Sequence, residues 1–279
     1  MKRLLSIEFQ KIWKNKASKV LLLTYFILLS FIALIASIKF NIGSLEIHIA
    51  DQGIFNFPYI WHFNTYIAAL FKIFLAVVIV SMMANEYTYG TLKQNLIDGL
   101  SKKEFILSKF LVVVSFAMAT TLFIFIMSLI LGYSFSSYNE LSIVFSDLEY
   151  LLAFFIKLIG FFSFCLFIGI LVKRSAFALG FILVWAFGEK ILHGIIGRFV
   201  FHDFDYAYKF IKFLPLESMS NLVKEPFSRL SAIKAIETTI GGANEAKDYS
   251  VHFSEIVIVL VWTFIFILTS YFIVKKRDL

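Results

Sequence analysis

Six long apolar runs divide the chain, and they constrain its fold more than any other feature of the sequence. The runs occupy residues 20–38, 63–84, 106–132, 150–172, 176–196 and 255–274. Each is close to or above the roughly 20 residues that a helix needs to cross a hydrocarbon core. We predict an all-α membrane protein with six transmembrane helices in a single domain covering residues 1–279.

Composition separates the chain from soluble domains and from nucleic-acid-binding proteins. Hydrophobic residues make up 60% of it and charged residues only 16%, whereas soluble domains carry roughly 25% charged residues. The net charge of +7 comes from basic residues beside the apolar runs, so it indicates membrane topology and no nucleic-acid partner. The one cysteine, Cys165, lies inside an apolar run and has no partner for an intrachain disulfide.

The basic residues lie mainly on alternate flanks of the runs. Six Lys and Arg precede the first run, and others lie at 93–109, 173–174 and 275–277. The short loops between these flanks hold only Lys39 and, across 133–149, no basic residue. Because short basic loops stay in the cytoplasm, we expect both termini and the 85–104 loop there, and residues 197–254 outside.

Residues 1–19 have the pattern of a helix that lies along a membrane surface. Leu5, Phe9, Ile12 and Trp13 fall on one helical face, whereas Glu8 and several lysines take much of the remaining surface. We predict an interfacial amphipathic helix that leads into the first span.

The long outer segment, 197–254, contains a second helical pattern. Pro226 suits a first helical turn, and apolar residues recur every three or four positions from 227 to 240. The Gly pair at 241 and 242 supplies a stop, so we predict an extracytoplasmic amphipathic helix here. Upstream, the apolar and aromatic stretch 199–216 either lies at the outer interface or dips back into the membrane.

The loop at 85–104 carries two local signals for helix boundaries. Gly90 is placed to end the second span, and Ser101 with Glu104 forms a capping-box pattern that opens the third. Between these signals, residues 91–100 are predicted to form a short helix across the cytoplasmic mouth of the bundle.

The same loop carries a longer pattern. Glu86 is followed four positions later by the Gly-Thr step Gly90-Thr91, then by an apolar stretch and by Ser-Lys-Lys-Glu at 101–104. In this pattern the chain resembles the permease subunits of the type-2 ABC exporter family. The helix order and the amphipathic start are also similar to that family, although residues 87–89 (Tyr-Thr-Tyr) lack the basic residue usual there.

The resemblance implies that residues 91–100 form a coupling helix that docks on an ATP-binding cassette subunit. The residues implied for ATPase coupling are Glu86, Gly90, Thr91, Leu92 and Leu96. The complex would contain two ATPase copies and a second permease copy, identical or homologous, in a bacterial cytoplasmic membrane. It would export a hydrophobic or amphipathic substrate such as a drug, a peptide or a lipid-like molecule.

ATP hydrolysis is not expected on this chain. The sequence has no G-x-x-x-x-G-K-[ST] phosphate loop, and the Gly pair at 241 and 242 lacks the required Lys spacing. We expect ATP and Mg²⁺ on the partner ATPase, and neither a cofactor nor a catalytic residue on this chain.

Four charged residues lie inside the apolar runs, where ionisable groups are costly and are functional candidates by default. They are Lys72, Lys157, Glu189 and Lys190. Counted along their helices at about 1.5 Å per residue, all four fall near the outer third of the membrane. One interpretation is that the lysines reach outward to the interface and Glu189 ends a short helix. The other is a polar ring in which Glu189 pairs with Lys72 or Lys157 and the remaining positive charge lines an exit path.

Three other function classes compete with the exporter. An intramembrane enzyme has little support, because the five His show no H-E-x-x-H spacing, and only Glu189 and His193 share a helix face. We predict no metal site. An ion-coupled secondary transporter would also use intramembrane charges, but the two halves of the chain show no convincing repeat. A noncatalytic membrane assembly or immunity protein is the remaining alternative.

Overall fold

The computed structural model describes residues 2–42, 45–48, 53–230 and 248–277. These residues are almost entirely helical, apart from an antiparallel hairpin of β1 (Lys39–Ile42) and β2 (Leu45–His48). A π-helical turn, Ile196–Val200, continues the ninth helix, and a 3-10 turn, Phe227–Arg229, follows the eleventh. The helices in chain order are α1 (Lys2–Lys14), α2 (Lys16–Ser37), α3 (Tyr59–Leu70), α4 (Ile73–Thr88), α5 (Thr91–Ile97), α6 (Lys102–Phe135), α7 (Leu141–Val144), α8 (Glu149–Val172), α9 (Ser175–Ile195), α10 (Phe204–Ile211), α11 (Pro215–Asn221) and α12 (Phe253–Lys276).

Within the described residues, five helical segments are long and apolar enough to span a membrane. Helices α3 and α4 together make a sixth candidate, with a bend of 46° between them. The prediction of a helical fold is confirmed, and five or six of its helical segments have the length and composition of membrane spans. The five segments are Lys16–Ala36, Lys102–Phe135, Leu141–Val172, Ser175–Val200 and Phe253–Lys276.

The second predicted span, 63–84, is wrong as a single straight helix. Helix α3 ends at Leu70, and α4 begins at Ile73 with Lys72 as its N-terminal cap residue. A hydrogen bond of 3.1 Å from the Phe74 N–H to the Phe71 carbonyl closes the turn between them. The break coincides with Lys72, which is the one charged residue in that run.

Helix α8 forms the centre of the bundle. It packs against α3, α4, α6, α9 and α12. In the most apolar 18-residue stretch of the segment Leu141–Val172, 72% of it is buried in the protein. In the other four single spans the corresponding share is 33% or less. Gly160 lets α12 approach closely, because an added Cβ would lie 2.7 Å from Cγ1 of Val259. Beyond its first turn α8 carries only one charged residue, Lys157, and an apolar surface on almost every side is what a helix surrounded by other helices requires.

One end of the bundle gathers the elements that the charge pattern assigns to the cytoplasm. The Lys102 ammonium donates to the carbonyls of Lys275 and Arg277, at 3.2 and 2.9 Å. Arg277 donates to the Tyr87 hydroxyl and to the Ile170 carbonyl, both at 2.8 Å. The end of α4, the start of α6 and the ends of α8 and α12 therefore lie together, as the predicted topology requires. Their location in the cytoplasm stays a prediction.

Residues 196–230, which follow α9, fold back over the opposite end of the bundle. Helix α11 packs against α8, α9 and α12, and the Tyr59 hydroxyl donates to the Pro226 carbonyl at 2.7 Å. The predicted amphipathic helix does not begin at Pro226, because only a 3-10 turn forms there and the backbone is extended again at Leu230. The rest of that prediction, residues 231–242, lies outside the described residues.

Candidate functional site

The final turn of α4 carries Glu86 into the protein interior. Its residue exposure is only 2%. Four positions later Gly90 adopts a left-handed conformation with φ of 67°, which lets the chain leave α4 and start α5 at once. This turn brings the Thr91 hydroxyl back to Glu86, where it donates to Oε2 at 2.6 Å. The predicted motif is therefore a connected local structure.

Two lysines from distant parts of the chain meet the same carboxylate. Lys109 on α6 donates to Oε1 of Glu86 at 2.5 Å, and Lys11 on α1 donates to that atom at 2.9 Å. The Lys109 ammonium also donates to Glu8 at 2.6 Å, and Lys11 lies 3.3 Å from the other oxygen of Glu8. We name Glu8, Lys11, Glu86 and Lys109 the inner ion network. It joins α1, α4 and α6, and Thr91 adds the first residue of α5.

The inner ion network is balanced and mostly buried. Lys109 has no exposed side-chain surface, whereas the Lys11 side chain is 38% exposed. Burial alone would lower the pKa of the Lys11 amine, but the hydrogen bonds and charges of Glu86 and Glu8 raise it above 10.5. Buried ionic groups are tolerated only when they are paired, and the two carboxylates and two ammoniums here satisfy one another.

Of the four network members, only Glu86 is among the site residues predicted from the sequence, and Glu8, Lys11 and Lys109 are not. Glu8 was assigned to the polar surface of α1, which is wrong because its exposure is only 5%. Lys109 was counted only as a topology signal. The available signal was its place four residues inside an apolar run, where a lysine needs a buried partner.

Helix α5 faces inward with its leucines and outward with other residues. Leu92 is buried and Leu96 packs on the core, while Ile97 is 75% exposed. Leu92 and Leu96 therefore anchor the helix, and any surface for a partner consists of Lys93, Gln94 and Ile97. The predicted helix ends at Ile97 and not at residue 100.

The start of α6 follows the sequence prediction. The Glu104 N–H donates to the Ser101 hydroxyl at 3.2 Å, and the Ser101 N–H donates to the Glu104 carboxylate at 3.0 Å. This capping box is confirmed. Just before it, Gly99 has φ of 95°, so both ends of α5 are set by left-handed glycines.

A cleft of about 310 Å³ lies beside the inner ion network. It opens between α1, the start of α2 and the turn from α4 to α5, and Lys11, Asn15, Asn85, Glu86 and Tyr89 line it. Movement of α1 against α5 would change its width.

At the opposite end of the bundle, Glu189 holds the first turn of α11. Its carboxylate accepts from the N–H groups of Leu216 at 3.1 Å and Glu217 at 2.8 Å, and from the Trp185 indole at 2.7 Å. Carboxylates are favourable at helix N-termini, where N–H groups have no partner within the helix. Glu189 therefore has other partners than the Lys72 or Lys157 of the polar-ring interpretation.

Lys157 holds the other end of α11. It is 3% exposed and donates to the carbonyls of Ser220 at 3.3 Å and Val223 at 3.2 Å. The interpretation that this lysine reaches outward to the interface is wrong, because the folded-back α11 brings main-chain acceptors to it. An ammonium at the last carbonyls of a helix is also favoured by the helix dipole.

Three of the four predicted intramembrane charges line one cavity. Lys72, Glu189 and Lys190 surround a space of about 220 Å³ together with Phe161 and Glu217, whereas Lys157 is not in its lining. Lys190 and Glu217 form an ion pair of 2.5 Å. We name this space the outer cavity.

Glu189 and His193, which share a helix face in the sequence, do not point at a common metal position. Glu189 is committed to amide and indole donors, and His193 faces the Phe204 carbonyl at 3.4 Å. In the part of the chain that the structure describes, no three His, Cys, Asp or Glu side chains lie together as metal ligands.

Comparison with known proteins gives a family and no function. The family model described as a protein of unknown function (DUF2705) matches residues 47–279. The matched part includes Glu86, Lys109 and the outer cavity, but not α1 with Glu8 and Lys11. No curated protein matches the chain.

Proposed function

We propose that this chain, which belongs to the DUF2705 family, is the membrane-spanning subunit of an ATP-driven exporter. Its ATPase is a separate ABC subunit that docks on α5. The observation that carries the proposal is the inner ion network, which ties this short surface helix to three others. A transporter driven by a partner needs such a connection between a docking surface and its spans.

The contacts around α5 give the connection a direction. Leu92 fixes the helix to the core, and Thr91 is bonded to Glu86 at 2.6 Å. Displacement of α5 by a partner moves Glu86, and Glu86 pulls on Lys109 of α6 and Lys11 of α1. Because packed elements move as units, one docking event reaches α1, α4 and α6 together.

The partner holds ATP and Mg²⁺ and carries out the hydrolysis. This chain contributes the docking surface of Lys93, Gln94 and Ile97, which α5 exposes. The complex contains two ATPase copies and a second permease copy. Helices α2 and α9 bury only 11% and 17% of their most apolar windows, so they leave the most surface for that copy and for lipid.

Co-purification with a candidate ABC ATPase tests the proposal. The full chain is co-expressed with each candidate from the same genome and purified in detergent through a tag on the permease. We expect one ATPase to co-purify, and Ile97→Asp with Lys93→Glu to abolish this without removing the permease from the membrane. Leu141→Asp, at an exposed residue of the opposite end, is the matched control and should change nothing.

Reconstitution separates the exporter from an ion-coupled transporter. Proteoliposomes with the co-purified complex are given ATP or an ion gradient, and ATP hydrolysis and movement of labelled amphipathic compounds are measured. The proposal requires dependence on ATP and loss of coupling in the Ile97→Asp and Lys93→Glu variant. Transport by the permease alone on an ion gradient would contradict it.

A further inference from the structure

The outer cavity contains an ammonium group without an anionic partner. The Lys72 ammonium lies over the ring of Phe161, 4.7 Å from its centroid. Among the described residues it has neither a hydrogen-bond acceptor nor an ion-pair partner. The other charges are satisfied, because Glu189 accepts three N–H groups and Glu217 accepts from Lys190. Lys72 is therefore the charge that a ligand entering the cavity meets.

An unpaired ammonium beside an aromatic wall favours an anionic ligand. Burial of a charged group is costly unless it is paired. The contact with the Phe161 ring offsets only part of that cost. An anionic oxygen at about 2.7–2.9 Å from the ammonium would form a charge-assisted hydrogen bond. Lys190, whose side chain is 65% exposed, borders the same space, but its ammonium is already paired with Glu217, so Lys72 is the group that would meet the anion.

Apolar surface continues from the cavity along α9. Phe187 and Leu183 precede Lys190 by three and seven positions, so they lie on its helix face. Both are exposed, at 67% and 54%. In the predicted topology they lie deeper in the membrane than Lys190. This is the arrangement of an outer-leaflet lipid, with its headgroup near the surface and its acyl chain toward the bilayer centre.

We propose that the outer cavity binds the phosphate of a phospholipid headgroup, with an acyl chain along Phe187 and Leu183. Its volume of about 220 Å³ is below the roughly 300–1,000 Å³ of pockets that enclose a whole drug-sized ligand. A headgroup fits inside while the chains stay on the helix surface. Assignment of this lipid as the exported substrate rests on the proposed function, whereas the binding itself does not.

Three probes separate the contributions of phosphate and acyl chain. The full-length protein is purified without any ATPase, and its binding of dioleoylphosphatidylglycerol, dioleoylglycerol and glycerol phosphate is measured by native mass spectrometry. We expect the complete lipid to bind at least about tenfold more tightly than either fragment, since one charge-assisted hydrogen bond corresponds to a factor of about ten or more. This comparison needs no variant and so does not depend on variant folding.

Matched variants locate the site. Lys72→Gln should weaken binding of the complete lipid about tenfold, and Lys72→Arg should retain it. Lys209→Gln, at an exposed lysine on α10, should leave binding unchanged. Phe187→Ser should weaken binding of the complete lipid and leave that of glycerol phosphate unchanged. Size-exclusion profiles that match the unmodified protein confirm folding.

Three results would overturn the proposal. Equal binding of lipid and dioleoylglycerol would mean that the phosphate is not recognised. Equal binding of lipid and glycerol phosphate would assign the cavity to a soluble anion. Unchanged lipid binding in a folded Lys72→Gln variant would place the lipid elsewhere. None of these results affects ATPase docking on α5, so failure here is distinguishable from failure of the exporter proposal.

Discussion

The ammonium of Lys109 lies 2.5 Å from the carboxylate of Glu86, although the lysine side chain has no exposed surface. The same ammonium lies 2.6 Å from Glu8, so one residue of α6 joins the N-terminal surface helix to the end of α4. Lys11 supplies the second positive charge that balances the two carboxylates. Each member of the network therefore depends on the others.

Replacement of Lys109 by Met should destabilise the protein strongly. The change leaves Glu8 and Glu86 close together with only the half-exposed Lys11 between them. Removal of one partner from a buried ionic network typically costs about 3–5 kcal/mol. We expect a clear fall in the midpoint of thermal unfolding, measured in detergent by intrinsic fluorescence.

The matched control for this variant is Lys103→Met on the same helix. Lys103 is exposed and is not a member of the inner ion network, so its replacement should shift the midpoint little. Equal midpoints for the Lys109 and Lys103 variants would contradict a stabilising role of the network.

Gly90→Ala should destabilise the turn between α4 and α5. Gly90 has φ of 67°, and an alanine in that region costs roughly 1–2 kcal/mol. No neighbouring atom lies within 4 Å of the added Cβ, so the cost is one of backbone conformation and not of crowding. The measurement is again the unfolding midpoint, which should fall.

Gly180→Ala should change the unfolding midpoint in the opposite direction to Gly90→Ala. Gly180 lies inside α9, and an added Cβ there also meets no atom within 4 Å. An alanine inside a helix is favoured over glycine by roughly 0.5–1 kcal/mol, so the midpoint should rise slightly. A fall at Gly180 as large as that at Gly90 would show that the left-handed turn is not the cause.

Features that depend on neighbours along the chain could be predicted from the sequence. The apolar runs indicate the spans because each is a continuous local signal. The capping box of Ser101 and Glu104 and the turn at Gly90 are also set within a few residues. Short-range rules are sufficient for these features, since their partners lie three to five positions away.

Features that depend on distant parts of the chain could not be predicted. Glu8 is separated from Lys109 by 101 positions, and no local rule indicates that they meet. Neither interpretation of Lys157 includes its acceptors on and after α11, because these carbonyls lie 63 and 66 positions away. The pairing of β1 with β2 and the bend before Lys72 are local features that the sequence pattern did not predict either, because the apolar run 63–84 continues through Lys72.

Loss of either charge that holds α11 should loosen that helix locally. Glu189→Ala removes the acceptor of the Leu216 and Glu217 N–H groups, and Lys157→Met removes the donor to two carbonyls. A lost bond to a charged group costs about 1.5–3 kcal/mol, so local opening should increase about tenfold or more. Hydrogen exchange followed by mass spectrometry over residues 215–223 measures this.

The Lys72→Gln variant is the control for local loosening. Lys72 lines the outer cavity beside α11 but makes no hydrogen bond to that helix. Hydrogen exchange over residues 215–223 should therefore stay as in the unmodified protein. If Glu189→Ala and Lys157→Met also left the exchange unchanged, α11 would be held by apolar packing alone.

Thiol labelling should place α5 and the C-terminal end of α12 on one side of the membrane. In a Cys165→Ala background, which removes the only native thiol, cysteines are introduced singly at Lys93, Ser137 and Lys276, all exposed positions. We expect a membrane-impermeant maleimide to label the Ser137→Cys variant in intact cells, and the other two only after permeabilisation, because basic flanks stay in the cytoplasm.

The pattern of labelling also decides whether a cytoplasmic ATPase can reach its docking surface. Lys93 lies on α5, close behind the end of α4. Lys276 is next to Arg277, which donates a hydrogen bond to Tyr87 at that same end of α4. Labelling of these two positions from opposite sides would contradict the shared end of the bundle. Labelling of both from outside would mean that the topology is the reverse of the predicted one and that α5 cannot meet a cytoplasmic partner. That result would contradict the exporter proposal.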